Sequence, residues 1–531
     1  MKHVFIGLAT LLGSFLGLSQ AARAQGSYVD DALLYSRQNP AGTARTLGLG
    51  GASTSLGGDY GSMNTNPAGL GLYTKSEFTF TPGVGIGNAT TSMVANAASL
   101  GSGGGQQSTN SFNIASLGLV FTNRRADGDR SSNWRGGSFA IGFTRLADFN
   151  YGYRYRNVTD DAHSFYQFLR EPGGNAQNSV TNAAYQSAVT DIYNQDQSGT
   201  YTNLDGLAYG NFLTSRQLVK DANGNTYYQL VIANPRSGQV QQDGIVQSKG
   251  SMSQFDLGYG GNYRDRLYIG GGVGIVSMNR TLTSTFGESQ NGSENFHYDD
   301  YLKTTGTGIN ARLGIIVRPA DAIRIGISAQ TPTYISLTDT YQTTITVNQG
   351  YVQPGPQGQV YSNILSTSPG TYDYSVTLPF RANGGVTFLL SKYGFITGDV
   401  EYVNTAATRF NPNSNDTSTS FSDVNQTISS GYQNTVNLKV GAEGRFDIFR
   451  VRLGYARYGN PYAGGTLDRG QNYFTGGLGF RTKSFFLDAA EVYLGSSKDQ
   501  YSPYSLYSAA SPIASINANR ATTTVTAGFL F

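Results

Sequence analysis

The sequence contains no cysteine and only one tryptophan among its 531 residues. The absence of cysteine excludes disulfides, thiol catalysis and zinc–thiolate sites. Charged residues are also scarce, at 13% of the chain, and 37 basic side chains nearly balance 34 acidic ones. Such a balance provides no electrostatic basis for binding nucleic acid, so we expect no nucleic-acid partner.

Long apolar runs are absent after the first residues, so no segment approaches the roughly 20 residues that a membrane-spanning helix needs. The beginning itself is typical of an export signal. Lys2 and His3 precede a short apolar stretch at 4–18, and small residues follow up to Ala24. We predict a signal peptide over residues 1–24, with a mature chain that begins at Gln25.

What the chain has in abundance are strand and turn formers, with 69 Gly, 36 Tyr and 28 Phe. Apolar residues alternate with small or polar ones over many segments: Phe139, Ile141 and Phe143 fall on one face of a strand, and Ala140 and Gly142 on the other. A soluble β-sandwich would alternate in a similar way. The export signal, the strand lengths and the C-terminal residues favour an all-β, transmembrane antiparallel β-barrel, with lipid outside and a wet lumen inside.

Short and long connections alternate along the barrel region, as periplasmic turns and outer loops do. The pattern predicts about fourteen strands, an even number. Their starts are expected near positions 76, 111, 134, 251, 267, 303, 323, 371, 394, 430, 449, 469, 484 and 519. The last strand ends on Phe531, and a terminal aromatic residue on an alternating strand resembles the signal read by the outer-membrane assembly machinery.

Two regions lack the barrel pattern. Residues 25–75 are rich in Gly and Ala and predict a plug of short helices and turns, so that the barrel itself covers 76–531. The stretch 149–250 is too long for a bare loop and predicts an extracellular insertion with structure of its own. Within it, helical spacing predicts two amphipathic helices, and Asn223–Gly224 predicts a hairpin turn. The apolar positions of the two helices are Phe165, Phe168, Leu169, Tyr185, Val189 and Ile192.

Several segments, in this order and spacing, resemble the FadL/TodX family of outer-membrane transport proteins. The segment RTLGLGGA at 45–52 and the segment NPAGL at 66–70 resemble the N-terminal hatch of that family. The stretches 313–327 and 440–447 resemble strand hairpins of its barrel. The resemblance spans the chain from the hatch to the final Phe, although each motif alone has low specificity.

The resemblance implies a fourteen-strand barrel closed by the hatch. It implies passive uptake of hydrophobic molecules such as long-chain fatty acids or aromatic hydrocarbons, captured by outer-loop helices and released past the hatch or laterally into the bilayer. The capture surface would then be the six apolar helix residues named above. A kink in the third strand would involve Gly136 and Gly137, for which the alternative is a simple packing or twist adjustment. The hatch residues of interest are Arg45, Gly51, Asn66, Pro67, Ala68 and Gly69.

Five basic residues share the polar face of predicted strands: Arg312, Arg324, Arg381, Lys439 and Arg452. They are candidates for holding a ligand carboxylate by charge-assisted hydrogen bonds. The alternative is ion pairing within the lumen, for which the candidate partners are Asp256, Asp399, Glu401 and Glu443.

Catalytic motifs are missing from the sequence. There is no G-x-S-x-G elbow, and only His163 and His297 remain in the predicted mature chain, which offers little for haem ligation. We therefore expect neither an enzyme nor a cofactor or metal site. The expected partners are a hydrophobic ligand, the lipid bilayer and the assembly machinery, with a monomeric barrel. An alternative function is that of an outer-membrane binding or assembly partner in protein secretion.

Overall fold

The computed structural model describes residues 21–101, 103–126, 129, 131–172, 180–233, 238–290, 293–348, 363–416, 419–465 and 467–531. Within these residues, nineteen strands form one antiparallel sheet and two more form a separate hairpin. The large sheet closes on itself, because Glu77 in the first strand pairs with Leu530 in the last. Closure leaves no free edge along the seam between the two ends of the chain, as a membrane barrel requires.

The strands are numbered in chain order. They are β1 Glu77–Met93, β2 Gly104–Arg124, β3 Trp134–Asp148, β4 Tyr151–Thr159, β5 Thr214–Lys220, β6 Thr226–Ile232, β7 Val240–Tyr263, β8 Leu267–Gln290, β9 Ser293–Ala320, β10 Ile323–Gln330, β11 Thr333–Val347, β12 Ile364–Ser366, β13 Gly370–Leu378, β14 Arg381–Leu389, β15 Gly394–Val403, β16 Arg409–Pro412, β17 Thr435–Phe446, β18 Phe449–Tyr458, β19 Gln471–Arg481, β20 Phe485–Tyr501 and β21 Ala514–Leu530.

These segments make fourteen barrel strands, which confirms the predicted architecture. Four barrel strands consist of two consecutive segments each, namely β3 with β4, β10 with β11, β13 with β14, and β15 with β16. The short segment β12 adds to β11 at the end of the barrel opposite the short turns, which we call the outer end. Each barrel strand pairs with its sequence neighbours, so the chain runs up and down around the cylinder, as expected for this class of barrel.

The outer surface of the cylinder carries large apolar side chains. Phe112, Leu313 and Leu453 are 75%, 71% and 68% exposed, whereas Ala140 on an inward-facing position of β3 is fully buried. Side chains at successive positions of a strand point to opposite faces. The alternation seen in the sequence therefore places the apolar set towards lipid and the small or polar set towards the lumen.

The N-terminal residues fold back inside the cylinder as the hatch, here residues 28–73. They include the part of α1 (Ala21–Ser36) from Tyr28 onwards, α2 Ala44–Gly48, α3 Ser62–Thr65 and a 3-10 turn over Pro67–Leu72. The hydroxyl of Thr43 caps α2 by accepting from the backbone N–H of Thr46. All residues of α2 are buried because the barrel wall surrounds it on the side of β18 to β21.

The outer end of the barrel carries the remaining helices, α4 Phe165–Leu169, α5 Ala183–Ser198, α6 Leu204–Gly210 and α7 Ser422–Gly431. Two of these match the helices predicted in the insertion. Strands β5 and β6 form the predicted hairpin, where Gly224 adopts a φ of 83° that favours glycine. Among the described residues, no helix is both long and apolar enough to cross a lipid bilayer.

Candidate ligand cavity and lateral gap

A cavity of about 350 Å³, the lumen cavity, lies between α1 of the hatch and the inner face of the barrel wall. Helix α1 contributes both apolar and charged side chains to it. Wall residues from β1, β2, β3, β4, β8, β19, β20 and β21, and Tyr462 in the loop after β18, complete the lining. Tyrosines and amides predominate on the wall side, among them Asn88, Asn150, Tyr151, Tyr153, Tyr462, Gln471, Tyr473, Tyr501 and Asn519.

A second cavity of about 90 Å³ adjoins the first, because both are lined by Asn39, Asp148 and Arg520. Its walls reach Asn113 and Ala115 on the inner face of β2. The open space therefore extends from the hatch helix to the part of the wall formed by the second and third barrel strands.

The wall between β2 and the third barrel strand is interrupted. Pairing between β2 and β3 runs from Arg124↔Gly136 up to Ser116↔Thr144 and stops there. Above this point β2 pairs with β1 alone, and β4 pairs with β7 alone. We call the unpaired region, between residues 104–115 and 145–159, the lateral gap.

The gap follows from a break in the third barrel strand at Phe149 and Asn150, between β3 and β4. On the neighbouring strand β7, Gly250 adopts a φ of 132°, and a Cβ at that position would overlap the carbonyl oxygen of Asn279. The carbonyl of Gly250 accepts a 3.0 Å hydrogen bond from the Phe149 amide. A glycine is thus required opposite the break, as is common where a strand bends.

Beyond the break, β4 leans into the barrel and covers the outer part of the gap from within. The inward-facing hydroxyl of Thr91 on β1 donates to the carbonyl of Arg154 at 2.5 Å. Further out, the amide of Leu100 donates to the carbonyl of Val158 at 2.8 Å. No backbone hydrogen bonds therefore join the two sides of the gap, but β4 blocks its outer part from the inside of the barrel.

One arginine bridges the inner part of the gap. Arg520 on β21 donates to the carbonyl of Asn150 at 2.7 Å, to Ser111 Oγ at 2.6 Å and to Asp148 Oδ2 at 2.9 Å. Its guanidinium passes over Gly85 of β1, where a Cβ would overlap it. These four polar residues, the Arg520 network, tie β21, β2 and the third barrel strand together across the gap.

Two charged groups on α1 face the lumen cavity. Asp31 forms a buried ion pair with Arg280 of β8, with 2.6 Å between Oδ1 and Nη1. Asp30 lines the cavity, and desolvation by the surrounding barrel raises the pKa of its carboxyl to about 7. The neighbouring carboxylates of Asp499 and Asp31 raise this pKa further, whereas Arg469 and Arg280 lower it.

The predicted hatch residues lie against the wall. The side-chain amide of Asn66 donates to the carbonyl of Thr54 at 2.8 Å and to that of Ile315 in β9 at 3.2 Å. Its oxygen accepts from the Ala68 amide and so begins the turn over Pro67–Leu72. In the same hatch, Arg45 lies 3.6 Å from Glu443 of β17, and Gly51 adopts a φ of 78°.

The predicted lumen cations are all held by protein groups. Arg312 pairs with Asp256 at 2.9 Å, and Arg324 donates to the carbonyl of Leu56 in the hatch at 2.7 Å. The remaining contacts are Arg381–Glu401 at 2.9 Å, Lys439–Glu401 at 3.0 Å, Arg452–Glu443 at 2.8 Å and Arg452–Asp488 at 2.6 Å. In this state the cations link neighbouring wall strands to each other and the wall to the hatch. A role for them in holding a ligand stays a prediction.

The predicted capture residues lie in two separate apolar cores at the outer end. Phe165, Leu169 and the partly buried Phe168 pack with aromatic rings from β8 and β9, while Tyr185, Val189 and Ile192 pack with residues of the β5–β6 hairpin. Five of the six are buried. None of them lines the lumen cavity, so a ligand would reach them only by displacing their neighbours.

The predicted kink glycines lie nearer the short-turn end than the gap. Gly136 adopts a φ of 116° at a register shift, yet both it and Gly137 pair with β2 and with β7. The wall is therefore closed on both sides of these residues. The break at Phe149 and Asn150 leaves no clear signal in the sequence, because the apolar alternation of β3 ends at this point and the predicted insertion begins at residue 149.

No protein-family model matches the sequence, and no curated protein does. Among solved structures, the chain is similar to a FadL homologue of Pseudomonas aeruginosa, with 11% identity, a TM-score of 0.51, and coverage of 93% of this chain and 99% of the other. The chain has the FadL fold. Two further similar structures are the P. putida toluene transporter TodX, with 10% identity and a TM-score of 0.49, and the Ralstonia pickettii toluene transporter TbuX, with 13% and 0.46. Both alignments cover 93% of this FadL-fold chain and 99% of the transporter chain.

Proposed function

We propose that this FadL-fold barrel is an outer-membrane channel for passive uptake of hydrophobic molecules, with long-chain fatty acids and aromatic hydrocarbons as the substrate classes. The observation that carries the proposal is the position of the lumen cavity, which borders the lateral gap on the inner side of the wall, between Thr109 of β2 and the third barrel strand. A molecule in the cavity needs to break no strand pairing to leave through that part of the wall.

The side chains on the membrane side of the gap also support movement of the ligand from the cavity into the bilayer. The lipid-facing edge of β2 carries Phe112, 75% exposed, and Ile114, 41% exposed. An apolar molecule that passes between them and the third barrel strand moves directly into hydrocarbon, where its transfer from water is favourable. Such uptake runs down the gradient of the ligand and needs no energy source.

In this scheme the Arg520 network controls the exit. Ser111 and Asp148 lie on opposite sides of the gap, and Arg520 holds both through charge-assisted hydrogen bonds, which are stronger than neutral ones. Widening the gap separates β2 from the third barrel strand, so at least one of these bonds must break. Arg520 is therefore a positioning residue that sets how often the exit opens.

The remaining parts of the scheme follow from the resemblance of the sequence. The hatch around Asn66 to Gly69 would block the direct path to the periplasm, and the outer helices α4 and α5 would first receive the ligand. A signal peptide over residues 1–24 would direct export to the outer membrane, and the last strand would be recognised by the assembly machinery. The barrel would function as a monomer.

The lateral exit is tested by a disulfide lock, which is specific because the chain has no cysteine. We would replace Ser111 and Asp148, whose side-chain oxygens lie 3.5 Å apart across the gap, by cysteine. The matched control replaces Thr122 and Ser138, 3.0 Å apart on the same two strands where they are already paired. The measurement is uptake of a radiolabelled long-chain fatty acid by cells that depend on this barrel.

Oxidation should abolish uptake through the gap pair, reduction should restore it, and the control pair should show no effect. Equal uptake by the oxidised and reduced gap pair would rule out lateral release. Uptake no greater than in cells without the barrel would rule out the transport function itself. If cells without the barrel take up the fatty acid normally but mislocalise secreted proteins, the protein would be better described as an outer-membrane partner in protein secretion.

A further inference from the structure

The short turns at one end of the barrel form a continuous ring, which we call the rim. Backbone hydrogen bonds link most successive turns, for example from Arg264 to Asn133 at 2.8 Å and from Arg318 to Arg266 at 2.7 Å. The hydroxyl of Thr122, which donates to the carbonyl of Lys75 at 3.0 Å, closes the ring. The remaining links around the ring are Leu389 to Ala322, Arg445 to Tyr393, Arg481 to Ile448, Leu530 to Ser484 and Phe531 to Ser76. The rim is thus one defined surface that surrounds the whole barrel.

The rim is strongly basic. Its described residues include twelve basic side chains and five acidic ones. The basic residues are Lys75, Arg124, Arg125, Arg135, Arg264, Arg266, Arg318, Lys392, Arg445, Arg450, Arg481 and Lys483, and the acidic ones are Glu77, Asp129, Asp265, Asp321 and Asp447. The insertion 149–250 at the opposite end is nearly balanced, with seven basic and eight acidic residues. The excess of positive charge is therefore local to the rim.

Within the described part of the chain, five rim cations have no carboxylate partner, namely Lys75, Arg264, Lys392, Arg450 and Lys483. Lys75 donates to the backbone carbonyl of Lys483 at 3.0 Å. Internal ion pairing does not account for them, in contrast to Arg266, which pairs with Asp321 at 3.2 Å.

Exposed aromatic rings accompany these cations. Arg264 lies over the ring of Tyr263 and Lys392 over that of Tyr393, each at 5.4 Å from the ring centroid. Tyr393 is 68% exposed, and Phe449 beside Arg450 is 57% exposed. An aromatic ring at the level of the glycerol groups with a cation directed to the phosphates is the arrangement that suits a membrane–water interface.

We propose that the rim is a binding surface for the phosphate groups of anionic phospholipids in the adjoining leaflet. The occupant is chosen by charge complementarity and by the position of the cations at the boundary of the apolar wall. Basic side chains beside an anionic lipid surface each increase binding by about fivefold. The proposal is independent of what the barrel transports.

The only tryptophan of the chain reports directly on this surface. Trp134 is 44% exposed and pairs with Tyr263, the residue before Arg264. We would place the full barrel in vesicles of equal parts phosphatidylglycerol and phosphatidylcholine, with bromine atoms on the acyl chains of one lipid or the other. Quenching of Trp134 fluorescence then measures which lipid is enriched beside the rim.

We expect brominated phosphatidylglycerol to quench more strongly, with an enrichment of about fivefold that falls as salt is added. Replacing Arg264, Lys392, Arg450 and Lys483 by glutamine should bring the two lipids to equal quenching. The matched control replaces four exposed lysines outside the rim, Lys220, Lys249, Lys303 and Lys498, and should retain the preference. Folding of each variant is checked by its heat-dependent electrophoretic mobility.

Equal quenching by the two lipids in the unaltered barrel would overturn the proposal. So would a preference that survives in the folded rim variant, because it would then arise from the aromatic rings or the bilayer alone. An equal loss in the control variant would show an effect of total charge and would overturn it as well.

Discussion

Replacing Arg520 by methionine should open the lateral gap. Methionine retains the unbranched stem of the side chain but removes the hydrogen bonds to Ser111, Asp148 and Asn150. The side chains of Arg520 and Asp148 are only 16% and 12% exposed, so solvent screens their pair weakly. The substitution therefore removes interactions of nearly full strength.

The magnitude follows from the bonds that opening must break. Opening must break the 3.5 Å contact between Ser111 and Asp148, which the substitution leaves in place, and the 2.6 Å bond from Arg520 to Ser111. This second bond involves a charged group, and such a hydrogen bond contributes about 1.5 to 3 kcal/mol. Without it, the open state should be favoured by about tenfold to a hundredfold. Uptake of a radiolabelled long-chain fatty acid should rise by about tenfold before another step limits the rate.

The substitution also leaves Asp148 with the more distant Arg145, at 3.5 Å, as its ion-pair partner. The double variant Arg520→Met with Asp148→Asn removes that carboxylate and should show the same increase. Arg520→Lys keeps the charge but lacks the planar fork that contacts three groups, so it should give a smaller increase. Unchanged or slower uptake by folded Arg520→Met and by the double variant would refute the assignment of Arg520 to the exit.

Three further predictions concern the hatch, the cavity and the bend. Desolvation raises the pKa of Asp30 to about 7, so its carboxyl is neutral below and negative above that pH. Because the negative form repels an anion, uptake of an alkyl sulfonate, whose own charge is constant, should fall from pH 6 to pH 8 in the unaltered barrel. In Asp30→Asn the uptake should not change over this pH range. Gly250→Ala should destabilise the fold by about 1 to 3 kcal/mol, since it strains a positive φ and crowds Asn279, as measured by the temperature at which the barrel loses its heat-resistant mobility. Asp399 accepts two hatch amides at 2.7 and 2.8 Å, so Asp399→Ala should loosen the hatch and increase ion conductance across planar bilayers, whereas unchanged conductance would show that other contacts suffice.

Much of the barrel was predictable because lipid imposes a strict pattern on the strands. The starts of β3, β8, β10, β15 and β18 fall at the predicted positions. Other strands begin earlier than predicted: β2 starts at Gly104 rather than near 111, and β7 at Val240 rather than near 251. Their outer ends extend beyond the apolar zone, where outward positions are polar and the alternation that identifies a membrane strand is absent.

The site was harder to predict because its parts are remote in sequence. Asp148 and Arg520 are separated by 372 residues, and nothing near either one marks the other as its partner. The lumen cations were found as a set because they share strand parity, but their partners depend on the register of neighbouring strands. The capture residues had the expected helical spacing, yet spacing alone does not distinguish the exposed face of a helix from the core of a small outer domain.

The position of the hatch has a consequence for how the molecule reaches its native state. The hatch is made early in the chain, yet its partners are spread over the whole barrel: Ala44 donates to Thr526, 482 residues later, and Asn66 contacts the carbonyl of Ile327, 261 residues later. Contacts between such distant residues form slowly, because much chain entropy is lost before any of them stabilises the product. The hatch can therefore reach its final packing only when the last hairpin has formed, so closure of the barrel and docking of the hatch are a single kinetic event. A chain truncated before β21 should leave the N-terminal segment accessible to protease.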